Sequence, residues 1–418
     1  MLIGKKNKKN SYYKMLKKNL FWRFNGNERK YLTDILKRGL KPKKKNYNLI
    51  LEKKWSNYHN LNYSITINSC TSALHIAFLS LGCKKGDEVL VPSLTPVMCA
   101  NAIIFTGATP IFVDVDEDSF LMCPKDLVKK ITPKTKAILL VHMYGGINNS
   151  KIFKKIAKKN NLFIVEDCAE SLGGKDENGV ITGKIGDIAC WSFQGAKHLT
   201  CGDGGMLSTS NKKIAEKIRK FSNLGFKFLD ADADKILTSK DSLQDPNTER
   251  FELIGYNYRM NEFSAAIVLA QMERLSYFLN LRRKSSFELL KIIEKSKILK
   301  AQKISKKTYS TFYTLSAKLI GNNIKWKNFR KKFIEFGGDP IYAASKILQD
   351  EPSIKYSKTG RCYKSCKPSC LVNCKGTPIA KKLQRKIFNF TTNQKSLKDI
   401  KVQSIALKKT INYFENKF

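Results

Sequence analysis

Between residues 64 and 193 the chain alternates short apolar runs with longer stretches of helical spacing, and this constrains the fold more than any other feature. Strands are expected at Ser64–Asn68, Glu88–Val91, Pro110–Val115, Lys136–His142, Leu162–Glu166 and from Ile188 to Phe193. Helices are expected from Thr71 to Gly82, over Val97–Thr106 and near Ser150–Asn160. Such alternation specifies an α/β domain with a mostly parallel sheet. Ligands of these sheets gather beyond the carboxyl ends of the strands. That rule selects Ser69–Ser72, Ser93–Pro96, His142–Tyr144, Asp167–Glu170 and Ser192–Lys197 as the ligand-binding rim.

Three of these strand ends carry chemistry. At the first, Thr71-Ser72 opens a helix directly after a strand, so free backbone N–H groups and the helix dipole make a place for a phosphate. An ordinary capped helix is an equal reading of the same residues. Asp167 ends the apolar run Phe163-Ile164-Val165, where a carboxylate favours a cationic partner such as a protonated ring nitrogen; capping the next turn is its simpler role. Lys197 follows the strand from Ile188 and precedes Gly202-Asp203-Gly204-Gly205, a crowded turn suited to an amine that loses its proton and forms a Schiff base. A solvated surface lysine competes with this reading, because the chain is rich in lysine. Taken together, a lysine, a strand-end acid and a phosphate-binding helix start are what a pyridoxal phosphate site requires. No dinucleotide or Walker pattern competes for the phosphate turn.

Five ordered segments carry a family resemblance. They are Asn68-Ser69-Cys70-Thr71-Ser72-Ala73-Leu74, Gly86-Asp87-Glu88-Val89 with Pro92-Ser93, Glu166-Asp167-Cys168-Ala169-Glu170, Ser192 through Lys197 to Gly205, and Gly255-Tyr256-Asn257-Tyr258-Arg259-Met260. In order and spacing they resemble the DegT/DnrJ/EryC1/StrS family of sugar aminotransferases, of the perosamine synthase type. The resemblance implies the fold type I architecture of pyridoxal phosphate enzymes, similar to aspartate aminotransferase, in a homodimer with shared active sites. It implies Lys197 as the Schiff-base lysine and Asp167 at the pyridine nitrogen. Thr71, Ser72 and Ser192 would hold the cofactor phosphate, Glu170 would lie near the pyridine hydroxyl, and Asn257 would reach the partner subunit's cofactor. The implied reaction moves an amino group, from glutamate, to a keto-sugar carried on a nucleotide, in the making of a surface polysaccharide or glycan. Some relatives replace the lysine by histidine and act as dehydratases; here Lys197 is present, with His198 beside it. Thr95-Pro96 occupies a place where many members carry an aromatic that stacks on the cofactor, and Cys70 stands where glycine is frequent.

Composition sets the competing readings. The 77 Lys and Arg against 35 Asp and Glu give a formal net charge of +42. A charge of that size also describes a non-catalytic, basic nucleic-acid-binding protein. The basic residues are spread along the whole chain with many Asn and Ile, however, which favours a compositional bias over a dedicated nucleic-acid face. The basic residues Lys5–Lys18 and Lys41–Lys45 are dense enough to bind polyanions weakly. Eleven cysteines with no apolar leader fit a reducing compartment, and a cytoplasmic protein is expected. No apolar run approaches a membrane span.

The division expected is a basic arm over 1–26, a large cofactor-binding domain over 27–275 whose first part, 27–60, packs with the small domain, and a small domain over 276–418. Within the latter, Cys362, Cys366, Cys370 and Cys374 recur every four residues around 355–376. That spacing differs from the paired CxxC of structural zinc sites, and no metal is assigned. Asp230, Asp232 and Asp234 imitate a calcium loop, but Lys235 stands where its glycine belongs, so they read as a solvated acidic loop.

Overall fold

The computed structural model describes residues 21–39, 46–232, 236–321, 324–355 and 376–416. The four regularly spaced cysteines, Asp234 with Lys235, the Lys41–Lys45 stretch and residues 1–20 of the basic arm lie outside the described residues.

The large unit is built on a seven-stranded sheet in the order β1-β7-β6-β5-β4-β2-β3. Its strands are β1 (Tyr63–Ile67), β2 (Glu88–Pro92), β3 (Thr109–Val113), β4 (Thr135–Val141), β5 (Phe163–Asp167), β6 (Ile188–Ser192) and β7 (Gly205–Thr209). The run β6-β5-β4-β2-β3 is parallel. β7 lies antiparallel between β6 and β1. Each expected strand is found within one or two residues of its place, whereas β7 and its antiparallel insertion were not foreseen.

The central strands read as nearly continuous apolar runs because helices cover both faces. One face carries α1 (Cys70–Ser80) and α2 (Met98–Ile104), whose Ala73, Leu74, Ala77, Ala100 and Ile103 pack against Val91, Leu139 and Val165. The other face carries α3 (Ser150–Lys159), which buries Phe153 and Ala157 against Ile138, Leu140 and Ile164 and leaves its lysines outside. Asn149 caps this helix by accepting from Ile152 N–H at 3.0 Å.

The helices Glu28–Arg38 and Tyr47–His59 pack on the large sheet and on the start of the long helix that follows it, with Ile35, Tyr47, Leu51 and Trp55 in one cluster with Trp191, Phe193, Met206, Leu269, Phe278 and Leu279. Trp55 meets the rings of Trp191 and Phe193 edge-on, at centroid separations of 5.4 and 5.2 Å. The described end of the arm also docks on its own chain, where Trp22 packs edge-on against Phe278 at 5.6 Å.

The long helix Leu275–Ile293 leads into the smaller unit, whose antiparallel sheet has the order β10-β11-β9-β8. Its strands are β8 (Leu299–Ala301), β9 (Thr314–Leu319), β10 (Tyr342–Ala343) and β11 (Ile387–Thr391). Leu289, Ile293, Leu315, Phe329, Phe388 and Leu407 form its separate core. The two units meet through ion pairs of Asp118 with Lys300 and Lys318, at 2.9 and 3.0 Å, and through Ser310 Oγ, which donates to Gly145 O at 2.7 Å. Among the described residues no helix is long and apolar enough to cross a membrane.

Candidate active site

The chemistry-bearing residues converge where the strands end. Asp167, the last residue of β5, is buried, and its carboxylate receives the Ala169 N–H at 3.0 Å and the Cys99 thiol at 3.4 Å. Burial raises its pKa above the ordinary aspartate value, only partly offset by the Ala169 N–H and by the positive Lys197. Both of these hydrogen-bond donors are neutral. A buried carboxylate of this kind is suited to a cationic group brought by a ligand.

Lys197 reaches the same space from the loop after β6. Its Nζ lies 3.2 Å from Glu170 Oε1, and the other Glu170 oxygen accepts from Tyr144 N–H at 2.8 Å. Burial works against the charged amine, but the facing Glu170 carboxylate, together with Tyr313 and Asp167, outweighs it and holds the lysine above its ordinary pKa. A solvated surface lysine is thereby excluded: its side chain is 15% exposed. The loop itself is fixed through its main chain. Arg23 donates to the carbonyls of Gly195, Lys197 and His198 at 3.0, 2.6 and 2.9 Å. From the other side Arg282 donates to Ala196 O and Lys197 O at 3.3 and 3.4 Å. Both guanidinium groups are buried, and burial pulls their pKa values down to about 10 and about 9, so both remain charged at neutral pH.

His198 packs rather than faces the site. It is buried, its Nε2 lies 3.3 Å from Thr311 O, and desolvation holds its pKa well below the usual histidine value. An imidazole kept neutral there supports the loop.

The helix start expected to hold phosphate is present at α1. Ser69 caps it, accepting from Ser72 N–H at 3.1 Å, with the two hydroxyls 2.9 Å apart. Gly205 pairs with Ser192 on one side and Ile67 on the other, and a Cβ there would lie 2.7 Å from the carbonyl carbon of Ser69 and 2.8 Å from Cys70 N. Only a residue without a side chain lets the Ser69–Ser72 turn sit beside Ser192. Gly205→Ala is therefore expected to push this turn aside and weaken pyridoxal phosphate binding about tenfold, the scale of an overpacking penalty near 1.4 kcal/mol. Spectrophotometric titration of the cofactor-free protein checks this.

Asn257 is exposed, next to the end of β1, where Asn68 N–H donates to Tyr258 O at 2.8 Å. It is held by Arg259 Nε, which donates to its Oδ1 at 3.0 Å. At the place of the expected stacking aromatic, Thr95 is buried with its hydroxyl 3.4 Å from Cys99 Sγ and 3.5 Å from Met143 Sδ.

His142, Glu166 and Cys168 form a buried group with metal-ligand chemistry. Its hydrogen bonds account for it without an ion. Asn148 N–H donates to His142 Nδ1 at 3.2 Å, so Nε2 carries the proton given to Glu166 Oε2 at 3.1 Å. Glu166 also accepts from the N–H groups of Gly183, Ile185 and Gly186 at 2.9, 2.8 and 2.7 Å. Among the described residues the cysteines are free thiols.

Residues 23–337 match the DegT/DnrJ/EryC1/StrS aminotransferase family, most of the chain. The chain belongs to that family. It is therefore a pyridoxal phosphate-dependent aminotransferase by family and by fold, and the α/β architecture expected from the sequence is the one observed. GDP-perosamine synthase of Escherichia coli O157:H7 is 37% identical over 293 residues, covering 70% of this chain and 74% of that one. The solved aminotransferase of Psychrobacter cryohalolentis superimposes with a TM-score of 0.78 at 23% identity, covering 93% of this chain and 96% of that one. An E. coli GDP-4-keto-6-deoxy-D-mannose-3-dehydratase reaches 0.79 at 20% identity, over 92% and 96% of the two chains. At such identities the two structures attest the fold.

The residues fit the cofactor. The Asp167 carboxylate suits a protonated ring nitrogen, and the close approach at Gly205 shapes a cradle for a phosphate. Arg23, Arg282 and Cys99 were missed by sequence reasoning, whereas Tyr144 lies in the His142–Tyr144 segment that the strand-end rule selected. Arg23 had one usable signal, the Phe21-Trp22 anchor before it.

Proposed function

We propose that this chain transfers an amino group from glutamate to a keto-sugar carried on a nucleotide, a GDP-linked 4-keto-6-deoxy sugar being the preferred acceptor, for a cell-surface polysaccharide or glycan. The observation that carries the reading is the Lys197 amine, held 3.2 Å from Glu170 in a rim that also presents Asp167. The likeness to GDP-perosamine synthase supports the choice of acceptor.

When bound, pyridoxal phosphate supplies an aldehyde that carries nitrogen between donor and acceptor, and a ring that takes up an electron pair. Lys197 would hold the cofactor through its aldehyde, and its amine would move a proton at the reacting carbon. Asp167 keeps a proton on the ring nitrogen. Glu170 accepts a hydrogen bond from the Lys197 amine and keeps it aimed. Thr71, Ser72 and Ser192 hold the phosphate through hydroxyls and helix N–H groups. Over the cycle glutamate becomes 2-oxoglutarate and the acceptor's keto oxygen is replaced by an amino group.

Asn257 supports a homodimer with shared sites, because it is exposed in its own chain and lies near Phe251 and Ile254, which are 58% and 89% exposed. A cytoplasmic location suits the nucleotide-sugar substrate.

The test is a panel of GDP- and UDP-linked keto-sugars with glutamate, followed by product mass and 2-oxoglutarate release. Expected is an aminated GDP sugar with one 2-oxoglutarate per product. A sugar that loses water and gains no nitrogen would instead place the chain among dehydratases.

A further inference from the structure

Lys197 has a second neighbour. Its Nζ lies 4.2 Å from the centre of the Tyr313 ring, which belongs to the smaller unit and directly precedes β9. Tyr313 is half-buried and lies outside that unit's apolar core; its ring sits beside the His198 ring, at a centroid separation of 6.1 Å, and the Arg282 guanidinium, 5.9 Å from its centre.

The backbone around it is built for that position. Phe312 takes a φ of +45°, a left-handed conformation that a bulky residue adopts only when its surroundings enforce it. Thr392 Oγ1 lies 2.6 Å from Phe312 O and 3.0 Å from Tyr313 O. Arg282 donates to Tyr313 O at 2.9 Å and, through its other nitrogen, to Lys197 O at 3.4 Å. One guanidinium thus ties the tyrosine backbone to the lysine backbone. Gly145, with a φ of +90°, passes so close that a Cβ would lie 3.0 Å from Phe312 Cα and 3.1 Å from Tyr313 N.

We propose that Tyr313 is a catalytic residue whose ring face receives the ammonium form of Lys197 and keeps it over the reaction centre while the lysine is detached from the cofactor. The inference rests on Lys197 being the cofactor-attached lysine. An aromatic face carries negative potential and attracts a cation most strongly where water is excluded. Glu170 grips the amine from one side and the ring from another, so a charged amine is held without being locked to a single acceptor. Lys197 then stays within reach of the carbon to which it returns a proton. The other charged or titratable groups near it are Asp167 at the end of β5, Cys70 at the start of α1, His198 in its own loop, and Arg23 and Arg282 behind the main chain.

The experiment uses the full-length protein freed of cofactor. Acetylation of Lys197 is followed by peptide mass spectrometry across pH, with exposed Lys381 as internal standard. Replacing the ring in Tyr313→Leu is expected to lower the apparent pKa of Lys197 by about one unit, so that it reacts about tenfold faster below that pKa. Tyr313→Phe, which keeps the ring, is expected to follow the wild type. Should the leucine variant fail to fold, a fully fluorinated phenylalanine at 313 keeps the shape, removes the negative face and is expected to show the same shift. A Lys197 profile unchanged by both leucine and the fluorinated ring, or a phenylalanine variant that behaves like leucine, overturns the proposal. Borohydride reduction of the cofactor-loaded wild type separates the two layers. A cofactor found on another lysine removes the underlying assignment, whereas a cofactor on Lys197 with an unresponsive pH profile removes only the role of Tyr313.

Discussion

Lys197→Ala is expected to reduce turnover at least a thousandfold, the scale of losing both a covalent attachment and a general acid–base. The protein should nevertheless fold and retain weak cofactor binding. The loop that presents the lysine is held by Arg23 and Arg282 at its carbonyls, and these contacts do not involve the lysine side chain. The phosphate turn at Ser69–Ser72 is likewise untouched. Steady-state assays with glutamate, set beside the absorption spectrum of the cofactor-loaded protein, check both halves. The variant should lose the visible band of the lysine-linked cofactor and show the spectrum of free aldehyde. A variant with wild-type turnover would remove Lys197 from the chemistry.

Asp167→Asn should cost turnover about a hundred- to ten-thousandfold, because a neutral amide cannot hold a proton on the ring nitrogen. Its effect on stability has the opposite sign. Burial raises the folded-state pKa of Asp167 above its unfolded value, with the Ala169 N–H and Lys197 only partly opposing the shift. Folding therefore takes up a proton in the window between the two values, and stability falls as pH climbs through it. The asparagine variant does not titrate and has no carboxylate to desolvate. In the cofactor-free state it should melt at a higher temperature than the wild type at neutral pH, and the difference should shrink as pH falls through the window. The measurement is thermal unfolding of both cofactor-free proteins from acid to neutral pH. A variant less stable than the wild type at neutral pH would show that Asp167 is a structural anchor rather than a cofactor partner.

The contrast between these two residues follows how the site was encoded. Asp167 and the Thr71-Ser72 helix start were legible because each sits at the end of a short apolar run, and a buried strand followed by a polar residue is a local pattern. Lys197 was legible for the same reason, with Gly202-Asp203-Gly204-Gly205 marking the turn after it. Tyr313, Arg23 and Arg282 lay beyond that reasoning. Each comes from a separate element, and only the docking of the smaller unit and of the Phe21–Phe24 turn brings them to the lysine loop. In a chain with this many basic residues a buried arginine has no local mark. The partners of the segment 27–60 were not legible for a related reason: helical spacing shows that a helix has an apolar side, but the surfaces that cover it, here Trp191 and Phe193 of the large sheet and Phe278 of the following helix, are set by the tertiary arrangement. β7 was missed because its five residues follow the glycine turn and run antiparallel, against the parallel pattern around them.

The central claim is that pyridoxal phosphate is carried on Lys197, facing Glu170, with Asp167 at the other end of the ring. The most direct test is to load the protein with pyridoxal phosphate, reduce it with borohydride, digest it and locate the added mass by tandem mass spectrometry. The account predicts one modified peptide, spanning Ser192 to Cys201, with the mass on Lys197. Modification spread over surface lysines, or confined to a lysine other than Lys197, would contradict it.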